Sequence, residues 1–264
     1  MRGDAGFPVR LRFSKRGKVR FISHRDVARA FERAFRVEQL PLAFTEGFSP
    51  RPKVSFGLAL SVGHESDAEY LDVELTDPVD PDLLPERLSA ALPEGMEVTG
   101  AVRLTDRALA LQESVTEIRF RMTVADRLGE MVPEALLRRV TEQALASEAL
   151  FVTRTRKGRE SVDDLRSTIR DLSLQDNSLP DGSLQSGSLA GDTSPCVLEL
   201  VLSTRPRGAR PREVLDALDA FAGVGLTEHR VLRMSQWIER DGARLEPLAA
   251  DALAPAPVLE ACAS

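Results

Sequence analysis

Cysteine is scarce in this sequence: the 264 residues contain only Cys196 and Cys262, and the two lie in different surroundings. This scarcity excludes a four-cysteine zinc site and a three-cysteine iron–sulfur motif. It argues against a disulfide framework and favours free thiols. Aromatic residues make up only 5% of the chain, which predicts cores built mainly from Leu, Val and Ala. The sequence contains neither a run of eighteen apolar residues nor a signal-peptide pattern, so we expect a cytoplasmic protein that does not enter the membrane.

The signature motifs of the common cofactor enzymes are also missing. The sequence has no P-loop, no G-x-G-x-x-G after a strand, no H-E-x-x-H and no G-x-S-x-G elbow. These absences argue against an autonomous cofactor enzyme. We therefore expect a chain with no cofactor and no metal of its own.

Charge is unevenly distributed along a chain whose net charge is -6. Residues 1–60 contain thirteen Lys and Arg against five acids, whereas Arg87 is the only basic residue between Glu65 and Glu97. Such asymmetry is typical of a surface that faces a polyanion. The alternative is that the basic and acidic runs face and neutralise each other.

Apolar periodicity predicts two strands and then a helix at the start of the chain. Val9, Leu11 and Phe13 alternate with two arginines, as in a half-buried strand, and "SKRGK" is expected to turn into a second extended piece, "VRFIS". The next apolar positions have helical spacing and predict the buried face of an amphipathic helix. They are Val27, Ala30, Phe31, Ala34 and Phe35.

Both halves of the chain show the element order β-α-β-β-α-β, which predicts an α+β protein of two tandem ferredoxin-like units with antiparallel sheets. In the second half, "ALFVTRTR" with "DLRSTIRDLSL" supplies the second strand of this order. We expect the first domain at residues 1–112 and the second at 113–240. The Ser/Gly-rich stretch 175–195 predicts a disordered insertion, and residues 241–264 predict a flexible Ala/Pro-rich tail.

The stretch "FISHRD" predicts the beginning of the first helix. Ser23 and Asp26 have the spacing of a capping box, and His24 then occupies the first helical position, where the helix dipole favours a neutral imidazole. A neutral histidine at this position can act as a base or bind phosphate. The alternative is a partly exposed histidine with only a backbone partner.

The stretch "GFSPRPK" predicts a stiff basic loop. Gly47 permits a turn with positive φ, two prolines restrict the backbone, and Arg51 and Lys53 project beside Phe48. Two cations and an aromatic ring suit a phosphate and a stacked base. Arginines on the polar face of the first helix, Arg25, Arg29 and Arg33, extend the basic region. The alternative is an ordinary hairpin loop and helix with solvated charges.

Four motifs occur along the chain: "FISHRD", "GFSPRPK", "SVGHESDAEYLDVEL" and "RKG" followed by "DLR". They resemble those of radical-SAM-linked proteins, a bacterial family whose domain of unknown function is fused to, or encoded beside, cobalamin-binding radical-SAM proteins. Arg51 departs from the pattern, because most relatives are expected to have histidine there. The resemblance implies a radical-SAM protein as partner, and the missing cluster cysteines imply that this chain is the cluster-free component.

Together these features predict an accessory protein that binds a structured RNA, tRNA or rRNA, for a radical-SAM partner. Arg25, Arg29 and Arg33 would contact phosphates, Arg51 and Lys53 would set the register, and Phe48 would stack on a base. One alternative is a metal-independent ribonuclease in which His24 is the general acid or base and Lys53 stabilises the phosphate. Another is a protein–protein adaptor that uses the acidic stretch and binds no RNA.

Overall fold

The computed structural model describes residues 6–105, 108–156, 158–175 and 196–253 and divides the chain into two compact units. Unit 1 contains the described residues within 1–60, 69–114 and 245–264, and unit 2 contains those within 61–68 and 115–244. The prediction of an α+β protein with mostly antiparallel strand pairing is confirmed. Apart from Gln175, the predicted insertion 175–195 lies outside the described residues. No helix in the described ranges is long and apolar enough to cross a membrane.

The described residues form six α-helices and eleven strands, numbered in chain order. They are β1 (Phe7–Lys15), α1 (His24–Val37), β2 (Val54–Phe56), β3 (Glu65–Leu75), α2 (Leu84–Ala91), β4 (Met96–Arg103), α3 (Leu111–Ser114), β5 (Glu117–Ala125), α4 (Glu134–Ala146), β6 (Phe151–Arg156), β7 (Arg159–Asp164), β8 (Ile169–Gln175), β9 (Val197–Ser203), α5 (Pro211–Ala222), β10 (Thr227–Arg240), β11 (Ala243–Leu245) and α6 (Pro247–Asp251).

In unit 1 the strands lie in the order β4-β1-β3-β2, and β3 belongs to this unit from Glu69 onward. The β1–β4 and β2–β3 pairs are antiparallel. Alternate side chains of β1 and β3 form one core with α1 and α2, and the rings of Phe13 and Phe31 meet edge to face at 4.7 Å. The helical periodicity read from the sequence therefore identified the buried face of α1.

The other face of β1 is buried at Arg10 and Ser14 and half-buried at Arg12, which corrects the expectation of a half-buried strand. Arg10 is 0% exposed. Its guanidinium donates two hydrogen bonds to the carboxylate of Asp72, at 2.7 and 2.9 Å, and a third to Asp251 at 3.1 Å. The backbone oxygens of Pro247 and Leu109 accept two more bonds at 3.2 Å. All five donors thus have partners, so a buried charge is tolerated here.

The segment "VRFIS" is not extended, contrary to the sequence prediction, because residues Gly17–Phe21 form a 3₁₀ turn. The Lys15 ammonium explains this geometry, since it donates hydrogen bonds of 3.2 Å to the backbone oxygens of Arg20 and Ile22. The buried Lys15 side chain therefore stabilises the 3₁₀ turn through these two hydrogen bonds.

In unit 2 the strands lie in the order β10-β5-β9-β8, and all three neighbouring pairs are antiparallel. Helix α4 follows β5, and α5 connects β9 to β10. The first residues of β3 also belong to this unit, where Glu65 pairs in parallel with Leu232 of β10.

Two details of the C-terminal half differ from the sequence prediction. The stretch "ALFVTRTR" does not join the sheet of unit 2, because it forms β6, which pairs with β7 as a separate hairpin. Strand β8 instead occupies the position beside β9 in the sheet. Gly158, with a φ of 73°, permits the tight turn. The predicted flexible tail is folded over residues 243–251, because Asp251 is buried against Arg10. Residues 254–264 lie outside the described residues.

Candidate nucleic-acid interface

Helix α1 begins with the capping box read from "FISHRD". The Ser23 hydroxyl accepts a hydrogen bond from the Asp26 N–H, and the Asp26 carboxylate accepts one from the Ser23 N–H, both at 3.3 Å. The Ser23 hydroxyl also donates to this carboxylate at 2.6 Å and lowers the pKa of Asp26, with a smaller contribution from Arg29. The cap accounts for both residues and leaves His24 exposed at the first helical position.

A row of exposed arginines follows along the solvent face of α1. It consists of Arg25, Arg29, Arg33 and Arg36. Arg29 pairs with Asp26 at 3.3 Å, whereas the other three have no ion-pair partner within the described ranges. Three acids of the 65–97 stretch pair with other basic residues: Asp72 with Arg10 and Glu74 with Lys53 in unit 1, and Glu65 with Arg230 in unit 2. Within the described ranges, the acids of the 65–97 stretch therefore do not neutralise the arginines of α1.

The basic loop is held by a short backbone ladder. Phe44 and Pro52 lie opposite each other, the Thr45 N–H donates to the Arg51 oxygen at 2.9 Å, and the Arg51 N–H donates to the Thr45 hydroxyl at 3.1 Å. Gly47 has a φ of 122° at the tip, and the ring of Phe48 is fully exposed. The loop predicted from "GFSPRPK" therefore presents an aromatic side chain to solvent.

The structure places two of the sequence-predicted site residues, His24 and Lys53, on opposite faces of the sheet of unit 1. Lys53 donates to Glu74 at 3.0 Å, and Glu74 alternates with Val73 and Leu75, which face α1 in the core. Because side chains alternate along a strand, Lys53 lies on the face away from α1. The ring of His24 packs 5.0 Å from Phe56 on the α1 face. The structure thus does not bring His24 and Lys53 together.

His24 instead shares a small cleft with two buried ionisable residues, Lys15 and Glu69. The cleft has a volume of about 20 Å³, roughly one water molecule, and Phe56 forms one of its walls. Burial lowers the pKa of Lys15, while the charge of Glu69 acts in the opposite direction. Among the residues that the structure describes, no three His, Cys, Asp or Glu side chains form a metal-binding group.

Sequence reasoning missed Lys15 and Glu69, although a signal was present. Lys15 continues the buried series Leu11 and Phe13 on β1, and Glu69 precedes the buried series of Leu71 and Val73 on β3. A charged residue that ends an apolar series with a period of two indicates a buried charge near the end of the strand. Only the adjacency of β1 and β3 brings the two charges into one cleft.

Tyr70 is the only tyrosine in the chain, so its ionisation can be followed without interference. Its hydroxyl donates to Glu246 at 2.6 Å, and burial raises its pKa, as does the charge of Glu246. The pKa of Tyr70 is therefore higher in the folded state than in the unfolded state, where it is about 10. For this reason the neutral hydroxyl makes its full contribution to folding stability below about pH 10, and this contribution is lost as the pH rises further. We expect tyrosinate absorbance to appear only together with unfolding measured by circular dichroism.

Replacement of Tyr70 by Phe is the control for this titration, because it removes the ionisable hydroxyl and should make unfolding less sensitive to alkaline pH. Tyrosinate that forms with a midpoint near pH 10 while the circular dichroism stays native would contradict the prediction.

Comparison with known proteins places these features in a family. The model of a family described as "Uncharacterized protein conserved in bacteria (DUF2344)" matches residues 9–209. No curated protein matches the sequence at a significant level. A crystal structure of a Cbf5–Nop10–Gar1 complex aligns with a TM-score of 0.47 and 9% identity, over 87% of this chain and 49% of that chain.

Two further solved structures align less well. A crystal structure of the archaeal box H/ACA sRNP Nop10–Cbf5 complex has a TM-score of 0.41 and 11% identity, over 86% of this chain and 47% of that chain. A structure of an H/ACA RNP bound to a substrate RNA containing 2'-deoxyuridine has a TM-score of 0.39 and 9% identity, over 92% and 54%. The chain spans about half the length of the solved chains that it matches.

Proposed function

This chain belongs to the DUF2344 family of uncharacterized bacterial proteins, and from its basic helix we propose that it is an accessory RNA-binding protein. The observation that carries the proposal is the row of exposed arginines on α1, three of which have no ion-pair partner in the described part of the chain. Unpaired guanidinium groups on one surface attract the phosphates of nucleic acid. The RNA would be a structured one, tRNA or rRNA, and the protein served would be a radical-SAM enzyme, as the motif resemblance implies.

The predicted site residues fall into three roles in this proposal. The helical rise of 1.5 Å per residue spreads Arg25, Arg29 and Arg33 over about 12 Å, and they contact phosphates along the backbone. Phe48 stacks on a base at the tip of the loop, and Arg51 sets the register beside it. Lys53 sets the register where the RNA passes around β2 to the other face of the sheet. Lys53 can exchange Glu74 for a phosphate, because a surface ion pair with 43% and 33% exposed side chains contributes little.

We propose further that both units are ferredoxin-like, with domain boundaries close to residues 112 and 240. The strand order β4-β1-β3-β2 in unit 1 and the order β10-β5-β9-β8 in unit 2 support this assignment. In each unit a helix follows the first strand and another precedes the last. In unit 1, α1 packs on one face of the sheet and presents its polar side to solvent.

Ultraviolet crosslinking in the native host, followed by stringent purification and sequencing of the attached RNA, tests the proposal. We expect one RNA class with the native protein and its loss in the Arg25→Glu, Arg33→Glu variant, because the phosphate contacts become repulsive. The matched control is Arg138→Glu, Arg139→Glu, which makes the same charge change on the exposed face of α4.

Other outcomes would favour the alternatives. Recovery of a protein partner without RNA would overturn the proposal in favour of an adaptor. Recovery of shortened RNA with the native protein, but of intact RNA with His24→Ala, would favour the ribonuclease, with Lys15 as the cation that shares a cleft with His24.

A further inference from the structure

A groove of about 410 Å³ lies in unit 1 beside the C-terminal end of α1. Its apolar wall includes Phe44 and Pro52, which face each other across the backbone ladder of the basic loop. Its rim carries three polar side chains, Glu32, Arg36 and Gln39. The volume lies within the range of sites that bind small organic groups.

The C-terminal end of α1 forms the rim of the groove, and it is followed by a residue other than glycine with a positive φ, Gln39. The Leu40 N–H donates to the Phe35 oxygen at 3.0 Å, and the Gln39 N–H donates to the Arg36 oxygen at 3.2 Å, which is a Schellman motif. The motif places Gln39 in the left-handed region, with a φ of 51°, where glycine is normally found. A strained glutamine at the edge of a groove suggests that its side chain has a function there.

The three rim side chains offer complementary hydrogen-bonding groups. Glu32 supplies an acceptor, Arg36 supplies donors, and the Gln39 amide supplies both. Within the described ranges none of the three has a side-chain hydrogen bond or ion pair. Groups of this kind, placed around an apolar slot, match the edge and the face of a nucleobase.

We propose that this groove binds one unpaired base of a single-stranded RNA segment, with Phe44 stacked on the face of the base and the rim groups bonded to its edge. The inference rests on the proposed RNA-binding function and adds a requirement for an unpaired base. The charge of the surface favours this occupant, because the exposed arginines of α1 lead along the helix to Arg36 at the groove. A polyanion that follows these arginines therefore reaches the groove with its backbone already bound.

The test measures fluorescence anisotropy of an end-labelled, mixed-sequence, single-stranded RNA and of the same strand annealed to its complement, over a range of salt concentrations. Phe44→Ala should weaken binding of the single strand roughly tenfold or more. The salt dependence should not change, because no phosphate contact is removed. Binding of the duplex should not change either, because a paired base cannot enter the groove.

Phe151→Ala is the matched control, since it removes an exposed phenyl ring from β6 in unit 2 and should leave both affinities unchanged. Phe44 is half exposed, so melting curves should show that Phe44→Ala remains folded. Equal single-strand binding by Phe44→Ala and the native protein, with weak binding by Arg25→Glu, Arg33→Glu, would overturn the groove and leave RNA binding intact. No binding of either RNA by the native protein, together with no RNA crosslinked to it in the host, would overturn the proposed function itself.

Gln39→Gly separates a binding role from a structural one. Glycine relieves the left-handed strain, so the melting temperature should rise by roughly 2–4 °C. Affinity for the single strand should nevertheless fall several-fold, because the amide is lost from the rim. A stabilised variant with native affinity would show that Gln39 only ends the helix and would remove it from the site.

Discussion

Replacement of Arg10 by Met is expected to lower the free energy of unfolding by about 3–5 kcal/mol, the largest stability effect of any substitution considered in this protein. The substitution leaves the carboxylates of Asp72 and Asp251, with side chains 20% and 3% exposed, without their buried cation. It also removes the donors that bind the Pro247 and Leu109 oxygens. Urea denaturation followed by circular dichroism measures the change.

Arg87→Met is the control for this experiment. Arg87 also bonds a carboxylate and a backbone oxygen, both of Glu38, but its side chain is 40% exposed, so we expect a loss of about 1 kcal/mol or less. Addition of Asp72→Asn and Asp251→Asn to Arg10→Met should recover part of the lost stability, because the unpaired charges disappear. An Arg10→Met loss no larger than that of Arg87→Met would contradict the assignment of a stabilising buried network.

The largest functional effect is expected from the arginines of α1. In the Arg25→Glu, Arg33→Glu variant, the slope of log affinity against log salt for RNA should decrease by about two. Affinity at low salt should fall roughly a hundredfold, because two phosphate attractions become repulsions. Anisotropy titrations of a single-stranded RNA over a range of potassium chloride concentrations measure both quantities.

The Arg138→Glu, Arg139→Glu variant makes the same change of net charge on α4 and should retain the native slope. An unchanged slope in the α1 variant would show that the arginine row is an ordinary solvated helix face. An equal decrease in both variants would show that RNA responds only to net charge, and the site on α1 would then be wrong.

Local features of the fold were predictable because their signals lie within a few residues. The Ser23 and Asp26 cap and the helical spacing of Val27 and Phe31 located α1, and the structure reproduces both. The alternation of Val9, Leu11 and Phe13 located β1. The same alternation gave the wrong environment for Arg10, because a sequence pattern cannot reveal that a distant helix covers the second face of a strand.

The candidate site was predictable only in part for the same reason. The sequence located the arginines of α1 and the exposed Phe48, which depend on one helix and one loop. It grouped them with Lys53, although the ion pair with Glu74 places Lys53 on the other face of the sheet. It also gave no indication of the groove, because Phe44, Pro52 and the end of α1 meet only when β2 pairs with β3.

By itself, the sequence determined the α+β composition, the start of α1, the loop at Gly47 and the basic character of the first sixty residues, since capping, periodicity and charge act over short distances. Tertiary structure alone decided that Arg10 reaches Asp251, 241 positions away, that Lys15 and Glu69 share a cleft with His24, and that Gln39 borders a groove. Such contacts depend on strand order and on which faces become covered. Those properties are fixed by the burial of apolar surface over the whole chain.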